Sequence, residues 1–561
     1  MMKKWFLRTF TMIMSTLIAF SVIGCGDNSV NTGEESKTCE VKAAIAGYSV
    51  DWLAEASKAF NEIYKNEGYK IKVTLTDTSI NMENEILYPK RNTTDMYFEY
   101  NRINQLVDKS RNVFKNNTDC VLEDMTDVLN SKPIGADKKE QGEKLIDRIP
   151  AEVISGYKYT GRLKNFSGYY GLPFTGGTSG IFVNEKVLEE KGYSFDDFLT
   201  TNSLIKMVKE LQPADETDTS AFFPVSFSGA KAPGYWSSLF SDLLAQYEGA
   251  QGYNDIWSFT PSSGTQIENG YSVYEKRGIL EALKVVEELE NRDLSAPGTS
   301  SIDHIGAQAR VFTGRALMMV SGDWIYKEME KDYSKYLDDV IKVRTPILSA
   351  LGVKLALCGA SHEEGENCDS CEEKLKSVVK AIDDGKAIST IMAESNITEE
   401  QANTIRTARG VYEGLNSLSW SISIPSYSNA KKVAKLFIRF LMSNEGQKIY
   451  NKNTYTFMAF STDIDTTIMD KKSKAMYDYM NSDFSTAYYR NATNPLRILN
   501  GLSNSFFLAY GTDVSVFQNL SYSHKNEKNP SYTAEKIFEK CKADVKLNWN
   551  DYLITAGLVA N

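Results

Sequence analysis

A histidine and three cysteines with short spacing are the residues that could most directly do chemistry in this sequence. Cys358 and His362 are followed by Cys368 and Cys371, which form a Cys-x-x-Cys pair. Thiolate and imidazole groups at such spacing are ligands for zinc, whereas cysteines in an export compartment also form disulfides. The surrounding Glu-rich run indicates an exposed loop without a catalytic feature. We therefore favour a disulfide or free thiols here over a metal site.

Catalytic motifs are missing from the sequence. Its three histidines, His304, His362 and His524, form no His-Glu-x-x-His motif, and the Gly-x-Ser-x-Gly and phosphate-loop patterns are absent. The 73 Asp and Glu residues leave open a pair of carboxylates at the separation that a glycoside hydrolase needs. We predict a protein without enzymatic activity or cofactor, with a surface glycoside hydrolase as the alternative.

Aromatic residues near carboxylates form a second pattern, and it suits binding. A sugar has flat apolar faces ringed by hydroxyls, so its site needs aromatic platforms and polar rim groups. Tyr48 follows the first predicted strand, on the side where open α/β sheets bind ligands. Tyr97, Glu99 and Tyr100 follow another strand. Because strand side chains alternate, Tyr97 and Glu99 should share a face and Phe98 should enter the core.

The later half of the chain supplies further candidates for ligand contacts. Asp323 and Trp324 follow a predicted buried strand, Tyr235 and Trp236 form an aromatic pair, and Trp420 flanks a returning strand. Each has a structural alternative. A tryptophan can be a core residue whose indole N–H bonds to the backbone, and Asp323 can cap the helix that follows it.

The N-terminus carries an export signal. Positive residues precede an apolar stretch, residues 9–24, which is shorter than the roughly 18 residues of a membrane-spanning helix. The sequence Val-Ile-Gly-Cys that ends at Cys25 looks like the lipobox at which bacterial lipoproteins are cleaved and acylated. We therefore predict that residues 1–24 are removed and that Cys25 carries a membrane lipid. Residues 25–38, which are polar and small, should form a flexible tether.

Composition describes a large globular body. The mature chain is long enough for more than one core, because domains usually span ~100–200 residues. Hydrophobic residues make up 42% and aromatic residues 11% of the chain, which is typical of a globular protein with aromatic-rich surfaces. The formal net charge is −10 and the basic residues are dispersed. We predict a monomer that does not bind nucleic acid.

Hydrophobic periodicity predicts an α/β fold. Residues 41–46 form a candidate strand, residues 51–64 have apolar side chains at helical spacing, and residues 70–77 alternate apolar with polar. A strand, a helix and a strand at this spacing imply a βαβ crossover. A second unit should start with a strand at 180–184 and a helix at 185–191.

More elements are predicted downstream. Residues 195–211 and 278–290 have the pattern of helices, and residues 317–320 that of a short buried strand. A tract at about 358–413 is more polar and contains the capping box Thr398-x-x-Gln401. We interpret this tract as a surface insertion.

Several segments, taken in order, resemble family 1 of the bacterial extracellular solute-binding proteins, which serve carbohydrate ABC importers. The matching segments are Thr94–Tyr100, Leu122–Thr126, Gly168–Phe174, Ile181–Leu188, Phe312–Met319, Gly322–Trp324 and Ile424–Gly446. The most diagnostic is the signature Phe-x-x-Gly-x-Ala-x-Met followed by Gly-x-Trp. Thr94 departs from the pattern, since the family has proline there.

The resemblance implies two α/β lobes joined by several crossings, with the ligand in the cleft between them. Lobe 1 would contain residues 39–173 and 414–455, and lobe 2 residues 178–345 and 456–561. Residues 346–413 would be an insertion whose lobe stays unassigned.

Roles for individual residues follow from the same resemblance and from local chemistry. Trp324 stands where the family often places a stacking aromatic residue. Asp323 beside it could accept sugar hydroxyls. A hinge is expected at Thr175, Gly176, Gly177 and Thr178, because glycines absorb changes in φ and ψ. Its alternative is an ordinary turn.

The function implied by the resemblance is capture of a carbohydrate, an oligosaccharide, for the permease of an ABC importer. The protein would act at the extracytoplasmic face of the cell membrane, held by the lipid on Cys25. Two alternatives share the fold. One is a different solute, such as a peptide, a phosphate ester or a polyamine, and Glu99 and Asp323 keep the polyamine open. The other is a sensory role toward a membrane kinase.

Overall fold

The computed structural model describes residues 39–46, 50–75, 79–116, 118–161, 163, 165–215, 217–218, 220–230, 235–258, 267–290, 292–363, 365–414, 420–460, 465–489, 532–555 and 558–559. The predicted signal peptide, the tether, Cys25 and Tyr48 lie outside the described residues. Within these ranges, no helix combines the length and the apolar character needed to cross a membrane.

The described residues form strands and helices. The strands are β1 (Cys39–Ile45), β2 (Tyr69–Leu75), β3 (Met96–Tyr100), β4 (Ser179–Asn184), β5 (Phe223–Val225), β6 (Ala316–Gly322), β7 (Val340–Lys342), β8 (Val411–Glu413), β9 (Trp420–Ser423) and β10 (Thr486–Tyr488). The α-helices are α1 (Val50–Ile63), α2 (Ser79–Ile86), α3 (Ile103–Phe114), α4 (Thr126–Leu129), α5 (Ala151–Tyr157), α6 (Glu185–Glu190), α7 (Thr201–Glu210), α8 (Trp236–Ser258), α9 (Arg277–Leu289), α10 (His304–Phe312), α11 (Ile325–Tyr333), α12 (Ala350–Lys354), α13 (Asp369–Asp383), α14 (Ile388–Ser395), α15 (Glu399–Gly410), α16 (Lys431–Leu441), α17 (Asn444–Thr454), α18 (Lys471–Asn481) and α19 (Ala534–Thr555).

The first sheet has the strand order β2-β1-β3-β9 and forms the centre of lobe 1. Strand β1 runs parallel to β2 and β3, while β9 returns antiparallel to β3. Helix α1 connects β1 to β2 and buries Trp52, Leu53 and Phe60 against this sheet. The βαβ unit predicted from periodicity is therefore confirmed. Helices α16 and α17 add their apolar faces to the same core.

The second sheet has the order β5-β6-β4-β7 and forms the centre of lobe 2. Strand β4 pairs antiparallel with β6 and β7, and β5 pairs parallel with β6. Both β4 and β6 are buried along their full length, since helices cover the sheet. The predicted strands at 180–184 and 317–320 and the predicted helices at 185–191 and 278–290 are confirmed.

One predicted helix, over residues 195–211, is wrong as a single element. The structure has a 3-10 turn at Phe195–Phe198 and then α7. The helix is interrupted because Thr200 has an extended backbone and its side chain accepts a hydrogen bond from the backbone N–H of Ser203. This side chain caps α7, so a new helix begins there.

Helices α12 to α15 form a compact insertion that packs on lobe 2. Their apolar side chains share one buried cluster with Leu199 and Ile347. The side chain of Arg409 donates to the backbone oxygen of Thr345 at 3.0 Å, and Thr200 donates through Oγ1 to Glu372 Oε1 at 2.5 Å. The predicted capping box at Thr398 is confirmed at the start of α15.

Three chain segments lie side by side between the two sheets. Thr178 forms an antiparallel bridge with Gly414, and the backbone N–H of Gly176 donates to the oxygen of Phe457 at 2.9 Å. These contacts join the segment before β4 with the segments that follow β8 and α17. The resemblance predicted several crossings between the lobes, and these three segments have the arrangement expected of such crossings. The predicted lobe boundaries stay predictions.

Candidate functional site

Tyr100 and Trp420 form an aromatic pair at the carboxyl end of β3. They are opposite each other in the pairing of β3 with β9, and their rings stack with centroids 4.1 Å apart. Trp420 is buried because it also packs against Phe174 in the core of lobe 1. Tyr100 is 49% exposed. Lobe 1 thus presents a tyrosine ring that is supported from behind.

Trp324 and Tyr235 form a matching pair at the carboxyl end of β6. The indole Nε1 of Trp324 donates to Tyr235 Oη at 3.2 Å, and the ring centroids are 5.6 Å apart. His304 packs edge-on to Tyr235 with its centroid at 6.3 Å. Gly322 makes the position of the indole possible, since a Cβ there would lie 2.1 Å from the ring of Trp324. The Gly-x-Trp motif therefore lets the tryptophan lie against the end of the strand.

The two lobes contact each other close to Trp324. Lys327 of α11, which lies one helical turn after Trp324, forms an ion pair of 3.2 Å with Asp51 of α1. Burial raises the pKa of Tyr235 above its usual value, and the negative charge of Glu328 adds to the rise. Each lobe therefore carries an aromatic pair at the carboxyl end of a strand.

Glu99 is a buried carboxyl group at the same end of β3. It is 1% exposed, and neither oxygen has a hydrogen-bond partner. Burial raises its pKa to about 8, with Arg102 opposing the shift and Glu83 adding to it. Because side chains alternate, Glu99 points to the other face of β3 from Tyr100. In its neutral form it can both donate and accept a hydrogen bond.

Asp323 lies beneath the predicted hinge. Its carboxylate accepts hydrogen bonds from the backbone N–H of Thr178 at 3.3 Å and from the hydroxyl of Thr456. It is fully buried, and burial raises its pKa to about 7. Gly177 has a φ of 118°, and a Cβ there would be 2.4 Å from Asp323 Oδ2. Asp323 thus bonds two crossing segments and makes no side-chain cap for α11. Its contact with a solute stays a prediction.

Two other predicted contact residues pack inside the lobes. Tyr97 is fully buried, and its hydroxyl oxygen lies 2.9 Å from Glu85 Oε2 and 2.8 Å from Asn92 Oδ1, to either of which it can donate. Trp236 is 1% exposed and belongs to the core of lobe 2. Because both rings are buried, neither has a face that a solute could reach in this structure. Both residues therefore fit the alternative of a core residue. Tyr48 lies outside the described residues.

Polar residues of α10 and α11 were missed by the sequence analysis. Gln308 donates through Nε2 to Glu328 Oε2 at 2.6 Å, and His304 Nε2 lies 3.7 Å from Glu328 Oε1. The Nδ1 atom of His304 is buried without a hydrogen-bond partner. The signal was present, since His304 and Gln308 are one helical turn apart just after the capping residue Asp303. These groups supply a polar rim beside Tyr235.

The chain resembles known proteins in structure but matches none of them in sequence. Neither a family model nor a curated protein sequence matches the chain. Solved structures do match it. One, from work on xylan utilization by the thermophilic bacterium Caldanaerobius polysaccharolyticus, is 12% identical, covers 90% of this chain and 100% of its own, and has a TM-score of 0.54.

Two further structures are similar over the same part of the chain. RafE, known from Streptococcus pneumoniae, is 14% identical in its complex with raffinose and has a TM-score of 0.51, with 90% of this chain and 98% of RafE covered. A chitin oligosaccharide binding protein is 15% identical with a TM-score of 0.50 and covers 90% of this chain and 99% of its own.

These likenesses define the class of fold. The chain has the two-lobed α/β architecture of the solute-binding proteins, which confirms the predicted fold class. The predicted resemblance is confirmed for the fold alone.

Proposed function

We propose that the protein is a solute-binding protein that captures an oligosaccharide between its lobes and delivers it to the permease of an ABC importer. One observation carries this proposal, namely that each lobe places an aromatic pair at the carboxyl end of a strand, Tyr100 with Trp420 in one and Tyr235 with Trp324 in the other. Aromatic rings suit the apolar faces of sugars, at about 0.5–1.5 kcal/mol per contact by analogy with ring pairs. RafE with raffinose and the chitin oligosaccharide binding protein support a carbohydrate ligand.

The protein would be attached to the outer side of the cell membrane by a lipid. The lipobox that ends at Cys25 supports a lipid anchor at the extracytoplasmic face of the membrane. Residues 25–38 would serve as the tether. A monomer on such a tether can reach a permease in the same membrane while its cleft stays in the aqueous phase.

The proposed mechanism is closure of the two lobes around a solute that leaves unchanged. The crossing segments would bend at Thr175–Thr178, and the positive φ of Gly177 supports this position for the hinge. Closure would bring the ring of Tyr100 toward Trp324 and exclude water from the polar rim. Each hydrogen bond to the solute would then form in a drier environment.

A binding assay with a matched pair of variants tests this function. The chain is titrated calorimetrically with raffinose, chitin oligosaccharides and xylo-oligosaccharides. At 100 times its Kd, a bound glycan should also add ~2.7 kcal/mol of stability. Tyr100→Ala should weaken binding about two- to ten-fold, since one platform is lost. Tyr88→Ala, which removes another exposed tyrosine of lobe 1, should leave binding unchanged. No binding of any glycan, or equal effects of both variants, would contradict the proposal.

A cationic solute such as a polyamine is the second candidate. The carboxylate of Glu328 close to Tyr235 favours it, because cations bind to ring faces and carboxylates. Spermidine belongs in the same titration series, and its binding should weaken strongly with salt.

A surface glycoside hydrolase is distinguished by chromatography of glycans that have been incubated with the protein. We expect these glycans to remain uncleaved.

A further inference from the structure

Four side chains of the insertion converge on one point. The ligand atoms of Cys358, His362, Cys368 and Cys371 all lie within 4.8 Å of one another. Nε2 of His362 is 3.0 Å from Cys358 Sγ and 3.5 Å from Cys371 Sγ. A tetrahedral zinc site with Zn–S near 2.3 Å and Zn–N near 2.0–2.1 Å has edges of about 3.5–3.8 Å. Small adjustments therefore make these atoms the four corners of one site.

Backbone N–H groups point at all three sulfur atoms. All three of these cysteines are free in the structure. Cys358 Sγ accepts the backbone N–H of Ala360 at 3.4 Å, Cys368 Sγ that of Cys371 at 3.3 Å, and Cys371 Sγ that of Cys358 at 3.4 Å. Hydrogen bonds from backbone N–H groups stabilise anionic acceptors more than neutral ones. Each potential ligand thus has a donor aimed at it.

Two neighbouring features orient the ligands. Nδ1 of His362 lies 3.2 Å from Glu366 Oε2, so its N–H can bond to the carboxylate while Nε2 faces the sulfurs. Cys368 is the N-cap of α13 and Cys371 lies in its first turn. The positive end of the helix dipole favours negative charge at both sulfurs.

We propose that Cys358, His362, Cys368 and Cys371 bind one zinc ion as a structural site. Three thiolates and one imidazole leave no open position for a substrate, which is typical of structural zinc. Binding would release to solvent the protons that the three thiols carry. This inference is independent of solute binding. It replaces the disulfide or free thiols that we favoured from the sequence.

The zinc ion would stabilise the attachment of the insertion. Cys371 is fully buried in the cluster that also contains Leu375 and Ile347, whereas His362 and Cys358 belong to the loop before α13. A metal bond between loop and helix would fix both to the side of lobe 2. Without it, the loop has few buried apolar contacts to hold it.

Metal analysis of the purified full chain tests the site. After reduction, addition of Zn²⁺ and removal of the excess, elemental analysis should find about one zinc per chain. With Co²⁺ in its place, the protein should show the thiolate charge-transfer band and the intense visible bands of a tetrahedral site. Removal of zinc by a strong chelator should lower the Tm.

Variants distinguish this site from other thiols. Cys368→Ser and His362→Ala should each weaken the zinc affinity at least about ten-fold, measured by competition with a chelator. Cys120→Ser changes a free, partly buried thiol of lobe 1 and should retain the metal. The proposal is overturned if the reduced wild-type chain takes up no zinc or gives no tetrahedral cobalt spectrum. It is also overturned if peptide mapping of protein isolated from cells finds a disulfide among the three cysteines.

Discussion

Glu99 is a single residue whose environment sets both its charge and its energetic effect. Taking a carboxyl group out of water without supplying partners costs free energy, and the neutral form costs less than the ionised one. That is why its pKa rises to about 8. Such a group lowers the free energy of unfolding, and a binding role would explain its presence.

Replacement of Glu99 by glutamine should stabilise the protein in a pH-dependent way. Below about pH 4.5, the usual pKa of a free Glu, the carboxyl group is protonated in both folded and unfolded states, so the pKa shift contributes nothing. Between that pH and about 8 only the unfolded state ionises, so wild-type stability falls as pH rises. At pH 8 the gain from Glu99→Gln should be on the order of 4 kcal/mol, since stability falls by about 1.4 kcal/mol per pH unit between pH 4.5 and about 8.

Denaturant unfolding at pH 5 and pH 8 measures this effect. The exposed Glu62 of α1 offers the control, since Glu62→Gln should behave alike at both pH values. A gain from Glu99→Gln that does not change with pH would show that the carboxyl group is ionised in the folded state. If Glu99 also touches the solute, the same variant should bind glycans more weakly although it is more stable.

At the scale of elements, the segment before β4 combines strain with close packing. The φ of 118° at Gly177 disfavours any other residue, and the carboxylate of Asp323 occupies the space that a side chain would need. Only glycine satisfies both conditions. The Gly-Gly pair recognised in the sequence is therefore explained by contact as well as by backbone conformation.

Gly177→Ala should be more destabilising than an alanine at a glycine that is only strained. Gly192 supplies the control, because its φ is 81° and a Cβ there would meet nothing within 4 Å. Gly192→Ala should cost about 1–2 kcal/mol from backbone strain. Gly177→Ala should cost that and further free energy, since the Asp323 carboxylate must move. Equal losses of unfolding free energy in the two variants would show that the contact with Asp323 does not constrain the segment.

At the scale of the whole molecule, an ion pair joins α1 to α11. The ion pair of Lys327 with Asp51 is one that joins the two lobes directly. Asp51 is largely exposed, so the pair contributes at most about 1 kcal/mol. A contribution of this size can still shift an equilibrium between open and closed forms.

Lys327→Ala should therefore shift the unliganded protein toward a more open form. Small-angle X-ray scattering should give a larger radius of gyration without solute, and the affinity should fall about two- to five-fold. Lys331→Ala on the same helix changes an exposed lysine and serves as the control. An unchanged radius together with unchanged affinity would show that the ion pair does not hold the lobes together.

Local sequence patterns were sufficient for the elements and for part of the site. The βαβ unit at the start, strands β4 and β6 and the capping box at Thr398 follow from side-chain spacing, because that spacing reflects helix and strand geometry directly. Trp324 was also found at the end of β6, since its Gly-x-Trp motif is contiguous. The separate start of α7 was missed, because the cap at Thr200 competes with continuous helical periodicity.

The sequence by itself determined which segments become strands and helices, and which residues stand at the ends of the strands. Tertiary structure decided the rest. Tyr100 meets Trp420 only through the register of β9 on β3, and Asp323 turns inward because Thr178 and Thr456 offer donors there. The cysteines and His362 share one point only because the loop folds back on α13. Such contacts depend on packing between distant segments, and no local periodicity encodes them.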